Sequence, residues 1–159
     1  MQLQEWYIAR AYNILSDAKP IDFDCGLLCH AKCCKGNSQD GMLLFPGEEK
    51  RFENKIGFVI NDTPLGKTLI CSGTCERNQR PLACRIFPLF PYVSKGAGRY
   101  KISVLRDVRA VDYCPLCDLE LLPEFERKIR LATRSLLRDP ECAAFLLQLT
   151  SEFTDVGNF

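Results

Sequence analysis

The chain has 159 residues, 47% of them hydrophobic and 26% charged, and carries a formal net charge of +1. These are the proportions of an ordinary globular domain, and a chain of this length hides roughly 70% of its unfolded surface on folding, so it needs no disulfide staples. The balanced charge gives no argument for nucleic acid or an acidic partner, and no stretch approaches the ~20 apolar residues that span a bilayer.

Residues 2 to about 17 predict a helix, with Leu3, Trp6, Tyr7, Arg10, Ile14 and Leu15 near helical spacing. The Lys19-Pro20 step ends it. A cysteine-rich segment follows, then a polar turn segment containing Gly36, Asn37, Ser38, Asp40 and Gly41. Met42-Leu43-Leu44-Phe45 is a short extended run closed by Pro46-Gly47. Glu48-Glu49-Lys50-Arg51-Phe52-Glu53 opens a short helix whose acidic first turn suits the helix dipole.

Two strands are expected next, Gly57-Phe58-Val59-Ile60 and Thr68-Leu69-Ile70-Cys71, separated by a turn at Asn61-Asp62-Thr63-Pro64. The second strand delivers Cys71 at its end. The segment from Pro81 to Tyr92 is proline-punctuated and aromatic, which predicts irregular structure; within it, Pro88, Phe90, Pro91 and Tyr92 are expected to cover a metal core. Lys95-Gly96-Ala97-Gly98 reads as a hairpin turn before the clearest strand, residues 99–105, where Tyr100, Ile102 and Val104 alternate. Pro123 sits in a first helical turn, and Phe125, Ile129, Ala132 and Leu136 form an apolar stripe. Asp139-Pro140 starts a last helix as N-cap and first residue, with Phe145, Leu146, Leu149 and Phe153 facing inward. The expectation is one α+β domain over 1–159. It comprises an N-terminal helix (1–19), a cysteine-rich metal-binding core with a short antiparallel sheet (20–118) and a C-terminal helical pair (119–159).

Ten cysteines carry the chemistry. They include Cys25, Cys29, Cys33, Cys34, Cys71, Cys75 and, nine residues later, Cys84; Cys114 and Cys117 make a C-x-x-C. The N-terminus, Met1 to Trp6, has neither the basic nor the apolar region of a signal peptide. That predicts the reducing cytoplasm, where disulfides are rare. Vicinal Cys33 and Cys34 would be strained as a disulfide. Clustered thiolates then point to a soft or borderline metal, and pairs such as Cys71-x3-Cys75 and Cys114-x2-Cys117 suit the corners of a tetrahedral zinc site. If residues 25 to 34 are helical, Cys25, Cys29 and Cys33 share one face while His30 and Cys34 form a pair turned about 100° away. Cys33 and Cys34 would then serve different ligand corners; a loop would void that argument.

Cys25-x3-Cys29-x3-Cys33-Cys34, Leu43-Leu44-Phe45-Pro46-Gly47-Glu48-Glu49, Cys71-x3-Cys75 and Arg80-Pro81-Leu82-Ala83-Cys84-Arg85-Ile86-Phe87-Pro88 together resemble the YkgJ-type cysteine-cluster family. Its members are described as zinc- or iron-chelating domains, distantly related to flagellin lysine N-methylases. The likeness runs from about residue 22 to 117. It departs from the family's C-x2-C-x2-C-C, since both gaps here are three residues. The resemblance implies Cys25, Cys29, Cys33, Cys34, Cys71, Cys75, Cys84 and Cys114 as metal ligands. One or two zinc ions, or an iron or iron–sulfur centre, would suit that set.

Cys117 is either a ninth ligand or a spare, and His30 either a ligand or an exposed loop residue. Cys142, with Phe145 and Leu149, is expected to be a buried, inert thiol. Arg80 and Arg85 are read either as cations beside a thiolate cluster or as ordinary surface arginines. Arg127, Lys128, Arg130, Arg134 and Arg138 read as a solvated helix face. Three functions follow as expectations: a metal-binding module with no nucleic-acid or membrane partner, an iron–sulfur or methyl-transfer-related enzyme, and a metal sensor or delivery protein. The chain offers no glycine-rich cofactor loop or nucleophile–His motif for the enzyme reading.

Overall fold

A computed structural model describes residues 2–34, 41–73 and 76–157. The chain folds as α+β. Helix α1 (Leu3–Ile14) packs on α4 (Pro123–Leu136), burying Ile8, Ala11 and Tyr12 against Phe125, Ile129 and Leu136. Helix α5 (Pro140–Gly157) lies on a hairpin of β4 (Leu89–Gly96) and β5 (Arg99–Arg106), paired from Leu89↔Arg106 to Gly96↔Arg99. Its turn is Ala97-Gly98, both residues at positive φ (47° and 75°), the twist that two-residue hairpin loops favour. Phe145, Leu146, Leu149 and Phe153 of α5 meet Leu89, Phe90 and Val93 of β4 in the main core, and the Val93 amide donates to Thr150 Oγ1 at 2.8 Å. Each such fully buried side chain contributes on the order of 1.5–3 kcal/mol.

A second sheet of order β1–β3–β2 joins β1 (Met42–Leu43), β3 (Gly66–Cys71) and β2 (Phe58–Thr63), all antiparallel. It carries a satellite core of Leu44, Phe52 and Leu69 and sets Cys71 opposite Phe58. Two short helices complete the path, α2 (Gly26–Cys29) and α3 (Leu82–Ile86). Among the described residues no helix is long and apolar enough to cross a membrane.

Glu48, fully buried, holds the two halves together. Its Oε1 accepts the Tyr12 hydroxyl at 2.5 Å and the Leu82 amide at 2.7 Å, and its Oε2 accepts the Phe45 amide at 2.9 Å. One carboxylate thus ties α1, the end of the β1 segment and the first amide of α3. Burial raises its pKa, opposed by the bonds from Tyr12 and the two amides.

Several expectations change. Helix α1 stops at Ile14, and its buried face is Ile8, Ala11 and Tyr12; of the expected line, Leu15 is buried just past the helix and Ile14 packs against the core, while Leu3 and Trp6 are exposed, Trp6 under Arg10, 5.4 Å from its ring. Glu48 is not a dipole-serving surface acid but a buried acceptor. Strand β2 runs through Asn61 to Thr63, so the turn falls at Pro64-Leu65. The segment from Pro81 to Tyr92 is not irregular: Pro81 caps α3 and the chain then enters β4. Proline is tolerated there because it precedes a first helical turn or lies on a two-stranded edge. Phe90 packs edge-on against Phe153 at 4.9 Å, within the helical core rather than over the cysteines. Most of the polar turn segment, residues 35–40, lies outside the described residues.

Candidate metal centre

Four separate stretches of chain bring their thiols to one cavity of about 460 Å³. The α2 segment supplies Cys25, Cys29, Cys33 and Cys34, β3 supplies Cys71, α3 supplies Cys84, and the turn after β5 supplies Cys114. Seven of the eight expected ligands therefore share a wall; the eighth, Cys75, lies outside the described residues. Cys117 and Cys142 do not line the cavity, and neither does His30, which is exposed. Cys142, in the first turn of α5, is fully buried as expected, with Sγ 3.7 Å from the Pro46 carbonyl oxygen.

The first cluster is not a continuous helix. The Asp24 carboxylate accepts the Gly26 amide at 3.0 Å and turns the chain into α2, a single turn. His30 and Ala31 then adopt left-handed φ of 53° and 54° before a 3-10 turn over Lys32–Cys34. Two consecutive non-glycine residues there cost about 1–2 kcal/mol each, and such outliers gather at functional sites. The break removes the shared face of Cys25, Cys29 and Cys33, so the helical argument for separating Cys33 from Cys34 lapses.

Hydrogen bonds fix the rest of the wall. Tyr113 donates to the Lys32 carbonyl at 2.7 Å while Lys32 Nζ sits 4.4 Å from the Tyr113 ring, clasping the first cluster to the Cys114 turn. Buried Asp107 accepts the Arg109 amide, Nε and Nη2 at 2.9, 2.9 and 2.6 Å, which anchors that turn. Arg85 donates to the Arg80 and Asn78 carbonyls, both at 2.8 Å, and so staples the 77–80 loop to the helix bearing Cys84.

The electrostatics follow from burial and from this cationic wall. Lys32, Arg77, Arg80, Arg85 and Arg109 line the cavity, and no described carboxylate does. Burial raises the Cys25 and Cys114 thiols; at Cys25 the Asp24 charge adds to this and Arg80 opposes it. The Cys33 thiol donates to the Cys34 sulfur. That bond raises Cys33 and lowers Cys34 to about 6, with Arg80 assisting at Cys34. Cys33 also feels the charges of Cys25 and Cys84, and Cys114 those of Cys25 and Cys29. Cys25 thus stands in both groups. Each thiolate makes the next harder to form, a conflict that a bound dication reverses.

Among the described residues, no three Cys, His, Asp or Glu side chains stand close enough to hold one ion. The thiols share a cavity without converging on a point. The donor chemistry fits a thiophilic metal: sulfur-only walls suit zinc, copper(I) or iron–sulfur centres, whereas magnesium and calcium require oxygen.

Sequence reasoning took Glu48 only as a first-turn acid and as part of the family-like stretch, and passed over Tyr113 and the Asp107–Arg109 pair. Only Glu48 left a local trace, as a carboxylate straight after an apolar run closed by Pro46-Gly47. Comparison with family models, curated proteins and solved structures finds no match to the chain.

Proposed function

We propose that this chain is a metal-binding protein of the YkgJ-type cysteine-cluster kind, whose thiolates hold one or two zinc ions in a reducing, cytoplasmic setting. The observation that carries the reading is the shared wall. Cysteines up to about ninety residues apart in sequence, from Cys25 to Cys114, meet at one cavity which, among the described residues, five cations and no carboxylate line. A core thiol such as Cys142 has no reason to join such an array, and it does not.

The ligand set is Cys25, Cys29, Cys33, Cys34, Cys71, Cys84 and Cys114; Cys75, which the resemblance adds to the set, lies outside the described residues. Metal affinity closes such a site: ligands not converged without the ion are drawn together by binding free energies of about 10–16 kcal/mol for structural zinc. The ion holds segments of the fold together, and Arg80, whose charge acts on Cys25 and Cys34, offsets part of the charge of a four-thiolate centre.

The deciding measurement is metal content and absorption spectrum of anaerobically purified protein. A colourless protein with one or two zinc ions per chain is expected. A brown protein with labile sulfide would replace zinc by an iron–sulfur centre, and copper or sub-stoichiometric zinc would point to metal delivery. A folded, soluble protein that binds none of these overturns the proposal.

A further inference from the structure

Beside the cysteine cavity lies a second, open cleft of about 340 Å³, floored by Tyr12 and walled by Arg51, Arg77 and Arg85, with Asn13 and Ser16 at its edge. The three arginines come from three segments: the 3-10 turn Glu48–Arg51, the 3-10 turn Arg77–Gln79 and α3. Two of them stack on one ring, with guanidinium carbons 4.0 Å (Arg51) and 4.7 Å (Arg85) from the Tyr12 centroid. That ring is enriched by its hydroxyl, which donates to buried Glu48 at 2.5 Å. A short bond to a carboxylate pushes electron density onto the phenol and strengthens both cation–π contacts.

Like charges brought together by folding repel unless an anion joins them. The charges of Arg51 and Arg77 both bear on Arg85. Among the described residues no carboxylate forms an ion pair with any of the three. Asp17, which feels Arg77, is held at 2.5 Å by Lys128. Counting Glu48 as ionised behind Tyr12, the three guanidiniums still exceed it by two charges. Arg85 directs two N–H groups to the Arg80 and Asn78 carbonyls and Arg77 one to the Ala18 carbonyl, so most of the fifteen or so N–H donors of three guanidiniums are left for a ligand.

We propose that this cleft is a binding site for a dianionic phosphate group, held by Arg51, Arg77 and Arg85 above Tyr12. Guanidinium forks match phosphate oxygens in pairs, two net positive charges match a dianion, and the open mouth admits a phosphate carried on a larger molecule. Arg77 and Arg85 also line the cysteine cavity, whereas Arg51 does not. The site therefore adjoins the thiol wall without depending on a metal there.

The test is calorimetric titration of the full chain as purified, at fixed ionic strength, with inorganic phosphate in one arm and glycerol phosphate in the other, against chloride. Saturable binding of one phosphate group per chain is expected. Arg51→Gln should weaken it about tenfold or more, the loss of one hydrogen-bonded charge, while metal content and circular dichroism stay unchanged. Arg51→Lys should fall between, since it keeps charge and loses the fork. Tighter binding of glycerol phosphate than of phosphate identifies a phosphomonoester as the ligand; equal binding identifies the free anion. Heats no different from chloride, or an Arg51→Gln protein that binds as the wild type does, would overturn the assignment.

Discussion

Replacing Glu48 with Gln exchanges one buried carboxylate oxygen for an amide NH2 and changes volume hardly at all. The carboxylate accepts two backbone amides, Phe45 and Leu82, on different oxygens, and the Tyr12 hydroxyl on one of them. A Gln oxygen placed at Oε1 still serves Leu82 and Tyr12, but its NH2 then faces the Phe45 N–H, donor against donor. In the flipped orientation the Tyr12 hydroxyl can reverse and accept, and the Leu82 amide is orphaned instead. Either way one buried amide loses its acceptor, at about 1–3 kcal/mol. Glu48→Ala strands all three donors and opens a cavity, so its cost should be about 4 kcal/mol or more, in the exceptional tail of single substitutions. The assay is urea unfolding at one buffered metal concentration, followed by circular dichroism, because metal bound only to the native state adds to apparent stability. A Tyr12→Phe cycle should show coupling with Glu48→Gln of about 0.5 kcal/mol or more, as expected for side chains in one network. A Glu48→Gln protein within about 0.5 kcal/mol of the wild type would refute the shared-acceptor geometry. Since Leu82 is the first residue of α3 and Cys84 lies on it, loss of metal affinity should accompany loss of stability.

Other outcomes follow from the same geometry. Cys33→Ser or Cys84→Ser should lower metal content and unfold the cysteine-rich region, whereas Cys117→Ser should leave metal content unchanged; metal analysis of the purified variants checks both. In reduced, metal-free protein, Cys34 should be the first thiol alkylated by iodoacetamide. Its pKa of about 6 keeps it a thiolate at pH 7, so its rate should fall as pH drops through 6, and Cys33→Ala should slow the reaction at pH 7 by removing the donor that stabilises that thiolate. Mass mapping of the modified residue decides this. Tyr113→Phe should cost about 1 kcal/mol by freeing the Lys32 carbonyl, and proteolysis within residues 24–34 should accelerate; unchanged cleavage there would mean the clasp does not hold the cluster.

The α4 stripe of Phe125, Ile129, Ala132 and Leu136 and the Asp139 cap of α5 were legible because each follows a local period or a local bond; of the β5 alternation, Ile102 and Val104 turn inward while Tyr100 is exposed. Asp139 Oδ1 does accept the Cys142 amide, at 2.9 Å. The face of α1 was not legible, since Trp6 and Tyr7 look as apolar as Ile8 and Ala11, and which side is covered depends on where α4 lies. Nor was α3, a helix of five residues too short to show a period.

For the site the division is sharper. Cysteine identity and spacing by themselves carried the expectation of a soft-donor site, because ligand preference belongs to the sulfur atom and not to the fold. Tertiary structure alone decided which thiols share the cavity: it put Cys114 on the wall and left Cys117 off it, though only two residues separate them. It also broke the Cys25–Cys34 segment at two left-handed residues, and gathered Arg51, Arg77 and Arg85 around one tyrosine. Those outcomes rest on contacts between segments distant in sequence, where burial of Glu48 and closure of the chain around it set positions that no local pattern encodes.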